Sequence, residues 1–178
     1  MLLKRVGPIV AFQVAWLATA FSVPAGSPSI GIAACLVTLV VGLIVTGDRL
    51  GLLLLALGLG LFGLVAESLL RAAGLVSFAA PGPLQMIAPL WIIMLWTAFA
   101  AIVDPAFSLL RGRPWLAALI GAVFAPLSYL AAERAGALTV GEGDVRYLPL
   151  AAIAVVWAIA LPGALRLSTM IEARTPRR

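Results

Sequence analysis

Few side chains in this sequence could do chemistry, and they fall into two groups. Glu67 and Arg71 are one helical turn apart, the spacing of an ion pair on one helix face, and Tyr129 and Glu133 repeat that spacing further along. Pro89 and Trp91 enter the intervening helix at similar depth, and Pro126, one turn before the end of the Tyr129 face, can loosen its helix there. Glu67, Arg71, Trp91, Tyr129 and Glu133 are therefore expected to line a polar pocket. In it an arginine could hold an anionic group while carboxylates and a phenol handle protons. The second group is Asp104, Ser108 and Arg111 on one helix face, with Gln13 at a similar depth. Asp104 is expected to pair with Arg111 or Arg113, and Gln13 to act as an interhelical hydrogen-bonding amide.

What is missing narrows the chemistry further. The chain has no histidine, which removes imidazole metal sites and the commonest general base. Its one cysteine, Cys35, lies in an apolar run and reads as a small core residue. No disulfide, zinc cluster or other cofactor is expected within one chain. Gly141-Glu-Gly-Asp144 matches the Gly-x-Gly-Asp pattern of intramembrane aspartyl proteases. That reaction needs two carboxylates close enough to share a proton. The other candidate aspartate, Asp104, belongs to the opposite end of its helix, so the motif reads as a polar turn.

The elements that position these residues follow from composition. Of 178 residues, 63% are hydrophobic and 11% charged, and the mean hydropathy is +1.16. Soluble domains carry about a quarter charged residues, so this chain cannot cover a water-facing surface. Its solvent is a bilayer, and its long apolar runs favour helices over barrel strands. An all-α, polytopic membrane bundle of about six transmembrane helices is predicted, as a single integral-membrane domain over 1–178. At about 20 residues per span, the helices are expected near 6–23, 29–45, 50–75, 84–110, 114–132 and 147–167, with 77–83 a loop. The basic start, Lys4-Arg5, resembles a signal peptide, but the long apolar stretch interrupted by Gln13 and Trp16 favours a retained first helix.

Orientation follows from the basic residues. With six spans and the N-terminus inside, nine of the twelve face the cytoplasm, among them Arg49, Arg111, Arg113 and Arg166, and only Arg71, Arg134 and Arg146 face out. Both termini are expected in the cytoplasm of a multi-pass inner-membrane protein. The basic tail from Arg166 to Arg178 reads mainly as a topology determinant that can also attract anionic lipid headgroups. No nucleic-acid partner is expected. Expected partners are membrane lipids, and either another membrane protein or further copies of the chain. Small residues at helical spacing should turn into the bundle: Gly31, Cys35, Thr38 and Gly42; Gly60, Gly63, Glu67, Arg71 and Gly74; and Ala118, Gly121, Ala125, Ser128 and Ala132. No internal repeat stands out, and no inverted symmetry relates the first three helices to the last three.

Phe12-Gln13-x-x-Trp16, Glu67-Ser68-x-Leu70, Ala88-Pro89-Leu90-Trp91, Leu95-Trp96-x-x-Phe99 and Ala125-Pro126-Leu127-Ser128-Tyr129 follow one another along the chain. In this order they resemble a family of small bacterial inner-membrane proteins catalogued as a domain of unknown function. The resemblance covers nearly the whole chain, and the Pro-Leu-Ser-Tyr block is its most specific part. The sequence departs from the family pattern at Ala125, where glycine is favoured, at Glu67, where aspartate is favoured, and near Pro105-Ala106, where a polar residue is favoured. The resemblance implies architecture and bacterial origin, and supplies no activity.

Two functions fit these residues. One is a non-enzymatic membrane module, transporter-like or binding lipid or a partner, with its pocket in the periplasmic half. The alternative is a membrane-embedded enzyme acting on a lipid or isoprenoid, with Glu67, Tyr129 and Glu133 as catalysts and Arg71 as anion holder. The lack of histidine and of clustered acidic metal ligands favours the module.

Overall fold

The computed structural model describes residues 2–141 and 146–174, with side chains from Arg5 onward. Lys4, Asp144 of the Gly-x-Gly-Asp turn, Arg177 and Arg178 therefore lie outside the described side chains. The helices are α1 (Leu2–Ser22), α2 (Pro28–Val45), α3 (Arg49–Ala72), α4 (Leu90–Phe107), α5 (Pro114–Arg134) and α6 (Tyr147–Arg174). Pro28 and Pro114 sit in the first turns of α2 and α5, where a missing N–H costs nothing. The Asp48 carboxylate caps α3 by accepting from the Gly51 N–H at 2.8 Å.

The architecture is an all-α bundle, and five of its helices are long and apolar enough to cross a membrane. The chain is a multi-pass membrane protein. α1 has the length, 21 residues, but Arg5 and Gln13 dilute its apolar run. Two boundaries differ from the sequence expectation. α4 starts at Leu90 rather than near 84, because Ala88 precedes a proline and is kept extended, with Pro89 as N-cap. α6 continues to Arg174, seven residues past the expected end.

A short antiparallel ribbon was not foreseen. β1 (Val76–Phe78) pairs with β2 (Leu138–Val140), with Ser77 opposite Thr139. Each strand follows the same helix ending. Gly74 (φ 69°) and Gly136 (φ 85°) take the left-handed conformation, and the next residue's N–H reaches back five residues, Leu75 to Leu70 and Ala137 to Ala132. The ribbon marks one end of the bundle. The opposite end gathers Arg5, Asp48, Arg111 and Glu172 and is called here the basic end.

These matching endings belong to a repeat. α3-β1-α4 and α5-β2-α6 share one layout at a sequence offset of 62, which relates Glu67 to Tyr129, Arg71 to Glu133, Gly74 to Gly136 and Ser77 to Thr139. Each strand is followed by a helix packed on its own first helix, α4 on α3 and α6 on α5. The two units meet at their centres: Glu67 bonds Tyr129, and Trp96 stacks on Trp157, 61 residues on, at 4.4 Å. In both units the first helix runs toward the ribbon and the second away from it, so the two are repeats of the parallel rather than the inverted kind.

The α1–α2 hairpin packs beside this pair of units, against α4. α4 thus touches α1, α2, α3 and α6, and Ala98 and Val103 on it are fully buried. The small residues of α2 face inward as expected. Gly63 on α3 is required by close approach, since a methyl there would strike the Trp96 ring. On α5 the buried face is Ala117, Gly121, Ala125 and Tyr129, so the expected stripe is rotated: Ser128 is exposed, and Ala118 and Ala132 are half-buried.

Candidate functional site: an aromatic cleft backed by a buried carboxyl

The two-fold layout is broken at one seam. α3 packs closely on α6, whereas the equivalent pair, α5 and α4, stands apart. The gap is a cleft of about 440 Å³, walled by α1 and α5 and floored by α4 and α6. That volume falls within the range of ligand sites, about 300–1,000 Å³. α1 contributes Phe12, Gln13, Trp16 and Thr19, and α4 contributes Trp91, Trp96 and Phe99. α5 contributes Gly121, Ala125, Ser128, Tyr129 and Ala132, and α6 contributes Trp157. Ala125, Ser128 and Ala132 thus form a wall of the cleft. At Gly121 the Trp157 carbonyl leaves no room for a methyl. Gln13, Phe124 and Ser128 are exposed along the cleft, so it opens sideways between α1 and α5.

Behind the cleft lies Glu67, the one acidic side chain among the described residues with no exposed surface. Its Oε1 accepts from the Trp96 indole N–H at 2.8 Å and from the Tyr129 hydroxyl. Its Oε2 has no partner among the described residues. A buried carboxyl in an apolar setting is costly, and two donors compensate it only in part. Trp157 completes the set. Its indole lies near enough to the Tyr129 phenol to act on it electrostatically, but outside hydrogen-bond geometry. Tyr129 is therefore the hydroxyl through which the cleft touches the buried acid.

The expected polar pocket is corrected by these placements. Trp91 and Tyr129 line the cleft, which is mainly aromatic and apolar, and Glu67 stands one layer behind them. The expected Glu67–Arg71 ion pair does not form. Arg71 sits a turn nearer the ribbon end, and its Nη1 donates to the carbonyls of Pro81 (3.0 Å), Leu84 (3.4 Å) and Ile87 (2.5 Å), snorkelling to hold the 81–87 loop. Ser68 and Trp91 fasten the same loop, through the Ala88 N–H at 2.9 Å and the Ala80 carbonyl at 3.1 Å. Glu133 is equally remote from the cleft. It pairs with Arg146 and accepts from the Val140 N–H at 2.9 Å, tying α5 to β2 and to the start of α6.

At the basic end, Asp104, Ser108 and Arg111 do line one cavity, of about 350 Å³. Arg111 bonds Asp104 at 2.5 Å and grips Glu172 with two bonds of 2.8 and 2.7 Å, while the Ser168 hydroxyl donates to Asp104 at 2.8 Å. Glu172 first, and then Asp104, hold the Arg111 guanidinium charged well above the ordinary arginine range. Gln13 does not belong to this cluster. It faces the aromatic cleft instead. Glu172 and Ser168 were missed because the sequence reading ended α6 at Leu167. Trp96 and Trp157 were missed because an indole in an apolar run reads as core.

Compared with known proteins, residues 5–163 match the family described as "Protein of unknown function (DUF2878)". No curated protein and no solved structure matches the chain.

Proposed function

Because the chain belongs to the DUF2878 family, whose description assigns no activity, we propose a function from the site itself: a non-enzymatic membrane module that binds one lipid-like molecule in the aromatic cleft. The observation that carries this reading is the open seam. Two units with one layout pack closely on one side and part on the other, and the parted side is lined by indole and phenyl rings that meet a single buried acid through Tyr129. Sites at the interface between repeats are where membrane carriers hold their cargo, which keeps a transporter-like role within the same reading.

The cleft is elongated. Its lining on α5 runs from Ile120 to Ala132, about 18 Å at 1.5 Å per residue, which suits an extended chain. The enzymatic alternative has less support. Two of its four expected groups, Arg71 and Glu133, are engaged at the ribbon end, away from the cleft. We place the protein in a bacterial inner membrane with the basic end in the cytoplasm, on the strength of the nine-to-three division of basic residues and the family resemblance. The cleft's polar spot then lies in the periplasmic half.

Native mass spectrometry of the purified protein tests the binding. The wild type should carry one defined apolar ligand, and Ser128→Phe, which fills the cleft without touching the buried acid, should lose it. Generic phospholipid retained equally by both proteins refutes the reading.

A further inference from the structure

We propose that the cleft takes a quinone-type lipid: a flat conjugated ring with a carbonyl oxygen at each of two opposite edges, carried on a hydrocarbon tail. This rests on the lipid-binding reading above and names the headgroup. The deep side of the cleft offers a ligand nothing polar. The Tyr129 hydroxyl donates to Glu67, the Trp157 indole is turned toward the Tyr129 oxygen, and the Thr19 hydroxyl donates to the Ala15 carbonyl at 2.8 Å. The open side differs. The Gln13 amide and Trp16 indole on α1, and the Ser128 hydroxyl on α5, line the cleft and make no hydrogen bond among the described residues. All three lie more than one turn inside their helices. At that depth acyl chains supply no partner, so an unbonded amide or indole N–H is costly.

Each of the three can donate, and the indole can only donate. Their complement is an acceptor that both walls can reach. A quinone presents one carbonyl to α1 and the other to α5, whereas an ester or a single ketone serves one wall. Carboxylates and phosphates also accept, but no lysine or arginine lines the cleft among the described residues to balance their charge. The rings add a second, independent observation. Trp96, Phe99 and Trp157 pair with one another on the floor. Trp16 and Phe124, one on each wall, have no ring partner among the described residues. A saturated chain gains little from them over the bilayer it left. A flat π-system gains stacked or edge-on contacts beyond its buried area.

Competition in detergent micelles tests the assignment. Equimolar pairs of decyl-tailed ligands, built on naphthoquinone, naphthalene or decalin, are offered to the purified protein, and native mass spectrometry reads the ratio bound. Naphthoquinone should outcompete naphthalene about tenfold, the worth of two hydrogen bonds inside a membrane protein. Naphthalene should outcompete decalin about fivefold, the worth of one good aromatic pair. Gln13→Leu should cut the first ratio roughly threefold and spare the second; Phe124→Leu should cut the second and spare the first. If either variant moves both ratios alike, or if naphthalene or decalin matches naphthoquinone in the wild type, the headgroup assignment fails and the lipid-binding reading stands. If Ser128→Phe binds all three ligands as the wild type does, both fail.

Discussion

Glu67 concentrates the energetic cost of this protein in one side chain. It has no exposed surface, and its two donors, Trp96 and Tyr129, both bond the same oxygen. Tyr129→Phe removes one of them and should destabilise the bundle by about 1–2 kcal/mol, the range for a bond to a carboxyl group inside a membrane protein. Equilibrium unfolding in mixed micelles measures it. Glu67→Gln keeps the shape and should cost less alone, and combining it with Tyr129→Phe should give less than the sum of the two, since they share one interaction. Additive losses would show that the two groups act separately. The sequence did single out Glu67 and Tyr129 as an acid and a phenol at membrane depth. It assigned the wrong partner to the acid, because the spacing rule that joins Glu67 to Arg71 ignores the loop carbonyls that compete for a guanidinium.

At the scale of elements, the α5–α6 contact turns on Gly121, where a side chain would strike the Trp157 carbonyl. Gly121→Val should push α6 away and cost about 1–3 kcal/mol, read by the same unfolding measurement; Ala122→Val, one position round the helix, should cost far less. Arg71 governs the ribbon end in another way. Its three carbonyl bonds gather the 81–87 loop, so Arg71→Ala should expose that loop to limited proteolysis while the helices stay intact. Lysine should restore part of the protection, because all three bonds come from the single Nη1 and an ammonium also carries three donors. Helix positions were readable from apolar length, and the start of α5 from Pro114, a good first-turn residue. The ribbon was not readable. Three residues per strand carry too short an alternation to separate from loop, and pairing between residues 62 apart leaves no local trace.

For the whole molecule, the charge division predicts topology in cells. A reporter fused after Arg178 should be active only in its cytoplasmic form, and one inserted between Pro81 and Pro83 only in its exported form; the reverse pattern refutes the orientation. Fold class was legible because composition alone excludes a water-facing surface. The repeat was not, because the chemistry-bearing matched positions hold different residue types, an acid opposite a phenol and a cation opposite an anion. At the centre the divergence lets an acid accept from a phenol, where two carboxylates would repel. The same comparison shows the side entrance between α1 and α5 as the place where the halves differ. A molecule entering by that route leaves acyl chains, not water, and burying its own chain against Phe99 or Trp157 gains little over where it came from. Occupancy is then a partition between two oily phases, measured in mole fraction of the bilayer and indifferent to aqueous solubility. Discrimination falls to shape and to the few polar atoms at the cleft's centre, so lengthening a ligand's tail should change its affinity hardly at all.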